Sequence, residues 1–272
     1  MFFQRVLGIA FVCASPFLMA EDCEYSEWGR DDQIGAANRI TPERTLAAAS
    51  LVKTGASHPL GIVITPGMPA YPPRYTQLQV VQPEHQYRTD ASHKLGWKIS
   101  ANDDLVQMWL GTGPQIDGLG HLGEDGEFYN CHQGKDFAAI TGLTKLDISQ
   151  IPPMVARGVL IDVAKHLGVS HLSAAQPIST QVLQSAMTEQ NITVGEGDVI
   201  LLHTGYTDAF LEADPQLWGS TIPGITNDAA RFLASLKPLA VGADTWGLGA
   251  VPPAPGYTVF CDHAILLKDD GV

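Results

Sequence analysis

The stretch "LGTGPQIDGLGHLGEDG", Leu110 to Gly126, places a Gln, an Asp and a His two and then four residues apart among six glycines. Glycine loses more backbone entropy on folding than any other residue. A run this rich in it is costly unless the backbone takes unusual angles or another group must come close. If "PQID" is extended, Gln115 and Asp117 point the same way, because side chains alternate along a strand. If "DGLGH" then turns into a helical start, Asp117 and His121 share a face at i and i+4. Such a strand-to-helix corner brings an amide oxygen, a carboxylate and an imidazole to one point. That set suits a divalent metal, the amide oxygen being the weakest ligand of the three. A satisfied structural Asp–His pair fits the same spacing equally well.

Outward from this stretch, the chain of 272 residues is long enough to bury a substantial core. Its 45% hydrophobic and 17% charged residues describe a globular protein, neither disordered nor membrane-embedded. The net charge of −13, without any Lys/Arg cluster, excludes nucleic acid as an expected partner, since that binding rests on neutralising phosphates. An anionic membrane surface is disfavoured for the same reason. The first twenty residues, "MFFQRVLGIAFVCASPFLMA", combine an early Arg, a short apolar stretch broken by Ser15 and Pro16, and small residues at the end. This is the outline of a secretory signal peptide over residues 1–20, which predicts a periplasmic or secreted protein. No other segment reaches the roughly 20 apolar residues of a membrane span. Export leaves Cys23, Cys131 and Cys261, enough for one disulfide. Cys23–Cys131 is the expected pair, because Cys261 sits in an apolar, strand-like run.

Thr41, Pro42 and Glu43 form a helix start: a hydroxyl cap, Pro at the first position and an acid in the first turn. Strands are expected in "HPLGIVI", "LVQMWL", "RGVLIDVA", "GDVILLHTG", "LAVGA" and "YTVFCDHAILL", each an apolar run bounded by turn residues. "STQVLQSAMTEQN" and "TNDAARFLASLK" read as helices, the second capped by Thr226. Continuous apolar runs imply strands buried on both faces, and hence a single α/β or α+β domain over residues 21–272. His203 reads as a hydrogen-bonded core histidine, His132 and Glu124 as solvated loop residues, and Trp97 and Trp246 as core packing. There is no G-x-S-x-G elbow, no G-x-G-x-x-G after a strand and no P-loop, which argues against a serine triad or a nucleotide phosphate.

"GTGPQIDGLGH" resembles the signature of the cyclase-like metal-dependent hydrolases, the family of bacterial kynurenine formamidase and isatin hydrolase. The usual pattern there is His-x-Gly-Thr-His-x-Asp-x-x-x-His. Trp28, Gly29, Asp32, Gly35 and Asn38 in "EWGRDDQIGAANRITPE" resemble the family's N-terminal segment. "RGVLIDV", "GDVILLHTG", "PGITNDAARFL" and "VGADTWGL" follow in the family's order, and "FCDHAILLKDDG" is similar to its Phe-x-x-His-x-x-Leu-Leu segment. The resemblance implies an α/β domain with a mixed, barrel-like sheet flanked by helices, the swivelling β/β/α fold. It implies Asp117 and His263 as metal ligands and His121 as the proton-shuttling histidine. Gln115 stands where founding members carry a ligand His, and Gly111 where the first ligand His would fall. The family's later metal-ligating Glu would lie past Val272, so a further C-terminal segment, and a chain that stops in mid-sheet, are expected.

The function implied is metal-dependent hydrolysis of an amide, lactam or related acyl bond in a small molecule, with manganese or zinc as cofactor. A homo-oligomer, dimer or larger, is implied as well. The alternative is an exported, catalytically silent small-molecule or metal-binding protein that keeps the fold.

Overall fold

Thr41 caps the first helix as its sequence predicts: the hydroxyl accepts a hydrogen bond from the Arg44 N–H, and Pro42–Ala49 (α1) follows. The computed structural model describes residues 23–81, 102–256 and 258–272; the expected signal peptide and Trp97 lie outside the described residues. Thr76–Val81 (β1) and Asp103–Met108 (β2) pair antiparallel, with Thr76 opposite Met108. The runs "GVLID", "VILLH" and "AVGA" become Gly158–Asp162 (β3), Val199–His203 (β4) and Ala240–Ala243 (β5). They form a parallel sheet in the order β5-β4-β3. Parallel neighbours need crossover connections, and helices supply them. Thr180–Glu189 (α2) lies between β3 and β4, and Asn227–Ser235 (α3) between β4 and β5. Ser179 caps α2 through its side chain. Thr226 precedes α3 as expected, but its hydroxyl donates to the Ile178 carbonyl instead of capping the helix.

Ile161, Ile200 and Leu202 of the sheet meet Leu183 and Ala186 of α2 and Ala229 and Leu233 of α3, with Ile265 and Leu266 closing the cluster. This apolar burial is the main favourable term in holding the helices to the sheet. Only one sheet face is covered in this way. Along β3, Val159 and Ile161 are buried while Leu160 between them is 56% exposed. The expectation of strands buried on both faces is therefore corrected. The other face, through Val199, Leu201 and Ala240, lines a cavity instead of a second helical layer.

Two expected strands are also corrected. "HPLGIVI" forms no strand, and Leu60 and Val63 stand in solvent, because no described strand lies beside them to take their backbone groups. "YTVFCDHAILL" is helical over its described residues from Cys261: an α-turn at Cys261–His263 runs into a π-helical Ala264–Asp269. Its apolar residues Ile265, Leu266 and Leu267 are all buried, and a short apolar run cannot by itself tell a buried strand from a buried helix. The last residues accordingly do not stop inside a sheet. The Val272 N–H donates to the Leu266 carbonyl, and the side chain packs on the main core.

Helices and strands alternate in the α/β sense. Among the described residues the largest sheet has three strands and does not close into a barrel. Cys23 and Cys131 are joined in a disulfide, as expected, and Cys261 is free. The N-terminal signature is a fastening device beside this bond. Asp32 accepts hydrogen bonds from the Tyr129 hydroxyl at 2.6 Å, the Asn38 amide at 2.7 Å and the Gly35 N–H at 3.0 Å. Asn130 reaches across to the carbonyls of Gly29, Arg30 and Asp32, and Arg39 lies over the Trp28 ring.

Candidate active site

Leaving β2, the chain enters the glycine-rich stretch. Gln115 to Gly118 has no regular structure, and a turn follows in which the His121 N–H donates to the Gly118 carbonyl. The expected helical start is thus a turn. Its tightness comes from close approach: a Cβ on Gly120 would sit 3.0 Å from the Leu146 carbonyl oxygen, which accepts the Gly120 N–H. Leu119 anchors the turn in a second core cluster with Tyr129, Leu146 and Leu267. The turn does what a helix would have done, bringing His121 Nε2 to 3.7 Å from Asp117 Oδ1.

The other oxygen of Asp117 faces the C-terminal helix, where His263 Nε2 lies 3.6 Å from Oδ2. One carboxylate therefore stands between two imidazoles, too far from either for a hydrogen bond. Behind His263, the buried Asp262 places Oδ2 2.9 Å from Nδ1. The approach is off the hydrogen-bond axis, so both atoms lack an aligned partner. Burial pulls the His263 imidazole down, but the charges of Asp262 and Asp117 outweigh it and hold its pKa above the ordinary value. His121 moves the opposite way: burial, reinforced by His263 and Arg74, outweighs the attraction of Asp117 and lowers it. Two imidazoles one carboxylate apart are thus driven in opposite directions.

Two cavities meet at this carboxylate. Gln115 and Asp117 line both. The first, about 300 Å³, is walled by the uncovered sheet face, Trp246 and His263. Trp246 stacks on Tyr71 with ring centroids 5.0 Å apart, and its indole N–H donates to the Trp218 carbonyl. It is half-buried and packs on the cluster of Tyr206, Trp218, Ile222 and Val251, the core packing expected of it, while also walling the cavity. The second is an open cleft of about 890 Å³ lined by Arg74, Trp109 and His121.

Carboxylate and imidazole are ordinary ligands of divalent first-row metals, and Asp117 offers one oxygen towards each Nε2. Donors around one tetrahedral ion, at ~2.0–2.1 Å from it, are roughly 3.4 Å apart, close to both gaps. In chemistry and spacing Asp117 and His263 suit a single divalent ion, and Gln115 lines the same two cavities. As the side chains stand, no group of three or more His, Cys, Asp or Glu among the described residues has closed to coordination distance.

The remaining candidates sort differently. His203 is half-buried at the end of β4, not in the core, and its Nδ1 lies 2.9 Å from Asp162 Oδ1. It lines neither cavity of this site. His132 is half-buried, where a solvated loop residue was expected. Sequence reasoning missed Asp262, although its place directly before His263 was a usable signal. It also missed Arg74, for which the sequence holds no signal.

The Cyclase family model matches residues 57–250. The chain belongs to the cyclase family. The chain is similar to the crystal structure of a novel cyclase at 30% identity, with a TM-score of 0.79 over 91% of this chain and 83% of that one. It is also similar in fold to isatin hydrolase A from Ralstonia solanacearum: 17% identity, TM-score 0.56, 85% of this chain and 82% of that one. No curated protein matches the chain.

Proposed function

We propose that this chain is a metal-dependent hydrolase that cleaves an amide, lactam or related acyl bond in a small molecule with water. The observation that carries the reading is the Asp117 carboxylate set between the Nε2 atoms of His121 and His263 where two cavities meet. Asp117 and His263, with Gln115, would hold a divalent ion, manganese or zinc. When bound, such an ion polarises an acyl carbonyl and makes water acidic enough to attack near neutral pH. Asp117 is committed as a ligand, so the base must be another group. His121 is that group: its side chain is 40% exposed towards the open cleft, and imidazole suits proton transfer near neutrality. It takes a proton as the water oxygen bonds to the acyl carbon. It returns that proton to the leaving nitrogen or oxygen as the acyl bond breaks, giving a carboxylic acid and an amine or alcohol. Asp262 backs His263 at Nδ1, on the side of the ring away from Asp117. That a protein of similar fold is an isatin hydrolase accords with this reaction class.

The test is an assay of lactams and N-acyl amides with the full protein supplied with Mn²⁺ or Zn²⁺. The reading expects product formation that EDTA abolishes and added metal restores. A second reading, the catalytically silent binding protein, is favoured by the lack of a closed three-donor cluster among the described residues. Stoichiometric metal without turnover on any lactam or amide would decide for it.

We also propose export to the periplasm or beyond, in line with the Cys23–Cys131 disulfide. The homo-oligomer belongs to the same proposal. Leu78, Val80, Leu105 and Val106 of the β1–β2 ribbon are exposed, and among the described residues that ribbon has two strands, a size that is marginal in water. Light scattering of the native protein checks this, a monomer mass being the contrary result.

A further inference from the structure

Arg74 has no part in the mechanism above, yet it lines the same cleft as Asp117 and His121. It ends a turn in which its N–H donates to the Tyr71 carbonyl, just before β1. Its Nη1 donates to the Gly111 carbonyl at 3.0 Å, laying the guanidinium against the α-carbon of that glycine. A Cβ at position 111 would come 2.7 Å from the Arg74 Cζ. The glycine is therefore what leaves room for the arginine.

The rest of the guanidinium is unspoken for. Arg39, Arg44, Arg157 and Arg231 each face a carboxylate, of Glu27, Glu196, Asp198 and Asp269 respectively. Among the described residues Arg74 pairs with no carboxylate and makes one hydrogen bond, although a guanidinium carries five N–H donors. A half-buried cation with free donors, in a cleft of a chain of net charge −13, is an unneutralised positive point in an acidic protein. Its planar fork matches a carboxylate bidentately.

We propose that Arg74 is the specificity residue of this cleft, binding the carboxylate of a small acyl substrate whose scissile bond lies at Asp117 and His121. The substrate class is accordingly an amide, lactam or ester that also carries a carboxylate. This assignment of substrate rests on the hydrolase reading; the anion site itself does not.

Calorimetric titration with benzoate and with benzamide, an anion and its neutral counterpart, tests it on the full protein as purified and again with EDTA. Wild type is expected to bind benzoate more tightly than benzamide in both conditions. Arg74→Gln is expected to reduce that preference roughly tenfold to a hundredfold, the worth of hydrogen bonds to a charged group. Arg74→Lys, which keeps the charge but not the fork, should fall between them, and thermal melts of both variants establish that they fold. An equal affinity for the two probes in wild type overturns the proposal. So does a preference that survives Arg74→Gln, or one that EDTA alone removes. Absence of the preference in wild type counts against Arg74 even where neutral amides are hydrolysed. An intact preference without any hydrolysis counts against the hydrolase reading and supports the anion site.

Discussion

His121→Ala lowers kcat on a hydrolysed amide or lactam by ~10²–10⁴-fold, the usual worth of a positioned general acid–base group. It leaves the metal content of the protein unchanged. The two imidazoles divide the labour. His263, with its side chain 13% exposed, is backed by Asp262 and faces one oxygen of Asp117; His121, at 40%, sits in a turn and faces the other. A group that must exchange protons with substrate needs access, and a ligand needs a fixed orientation. Burial also lowers the His121 pKa, so the imidazole stays a neutral proton acceptor further down the pH scale. Elemental analysis beside steady-state kinetics reads both halves. A variant that loses its metal would make His121 a ligand and remove the proposed base; one that keeps its turnover would remove the role altogether.

Trp218→Ala destabilises the fold by ~3–5 kcal/mol, the range for truncating a large buried aromatic. Trp218 is 2% exposed, within a cluster of Tyr206, Ile222 and Val251. The indole N–H donates to the Thr207 hydroxyl at 3.0 Å, and that hydroxyl in turn donates to the Asp244 carbonyl. The Asp244 carboxylate accepts from the N–H groups of Thr204 and Gly205, tying the loops that leave β4 and β5. The Trp218 carbonyl receives the indole N–H of Trp246, the cavity wall. Deleting the side chain therefore opens a void, takes a donor from the buried Thr207 hydroxyl and loosens the support of the site together. Urea unfolding with an unchanged m-value measures the loss. A change under about 1 kcal/mol would mean the cluster collapses around the gap and does not hold the wall.

Much of the sheet was legible because its strands are short, apolar and bounded by turn residues: "GVLID", "VILLH" and "AVGA" fall where they were read. The helix start at Thr41 was legible because a capping hydroxyl is a local signal, whereas the Thr226 hydroxyl, read in the same way, is drawn off to the Ile178 carbonyl. What lay on the two faces of the sheet was not, since the alternation along β3 separates a core face from a cavity face only once the neighbours are placed. The segment at Cys261 failed for a related reason: a dense apolar run carries no period that distinguishes strand from helix.

At the site, Asp117 and His121 were readable from their spacing, and the turn merely replaced the helix expected between them. His263, distant in sequence, came through resemblance alone, and the structure places it on the far side of the same carboxylate. Arg74 was invisible because its approach to Gly111 is a contact between segments 37 residues apart, and a missing side chain leaves no mark of what fills its place.

The central claim is a metal held at Asp117, and metal content tests it most directly. Wild type and Asp117→Ala are incubated with Mn²⁺ and Zn²⁺, desalted and analysed by plasma mass spectrometry, with circular dichroism to establish that both are folded. The account predicts about one equivalent of metal in wild type, in keeping with a single carboxylate shared by one ion, and almost none in the variant. A folded wild type that binds neither ion, or an Asp117→Ala that keeps its full equivalent, would contradict it.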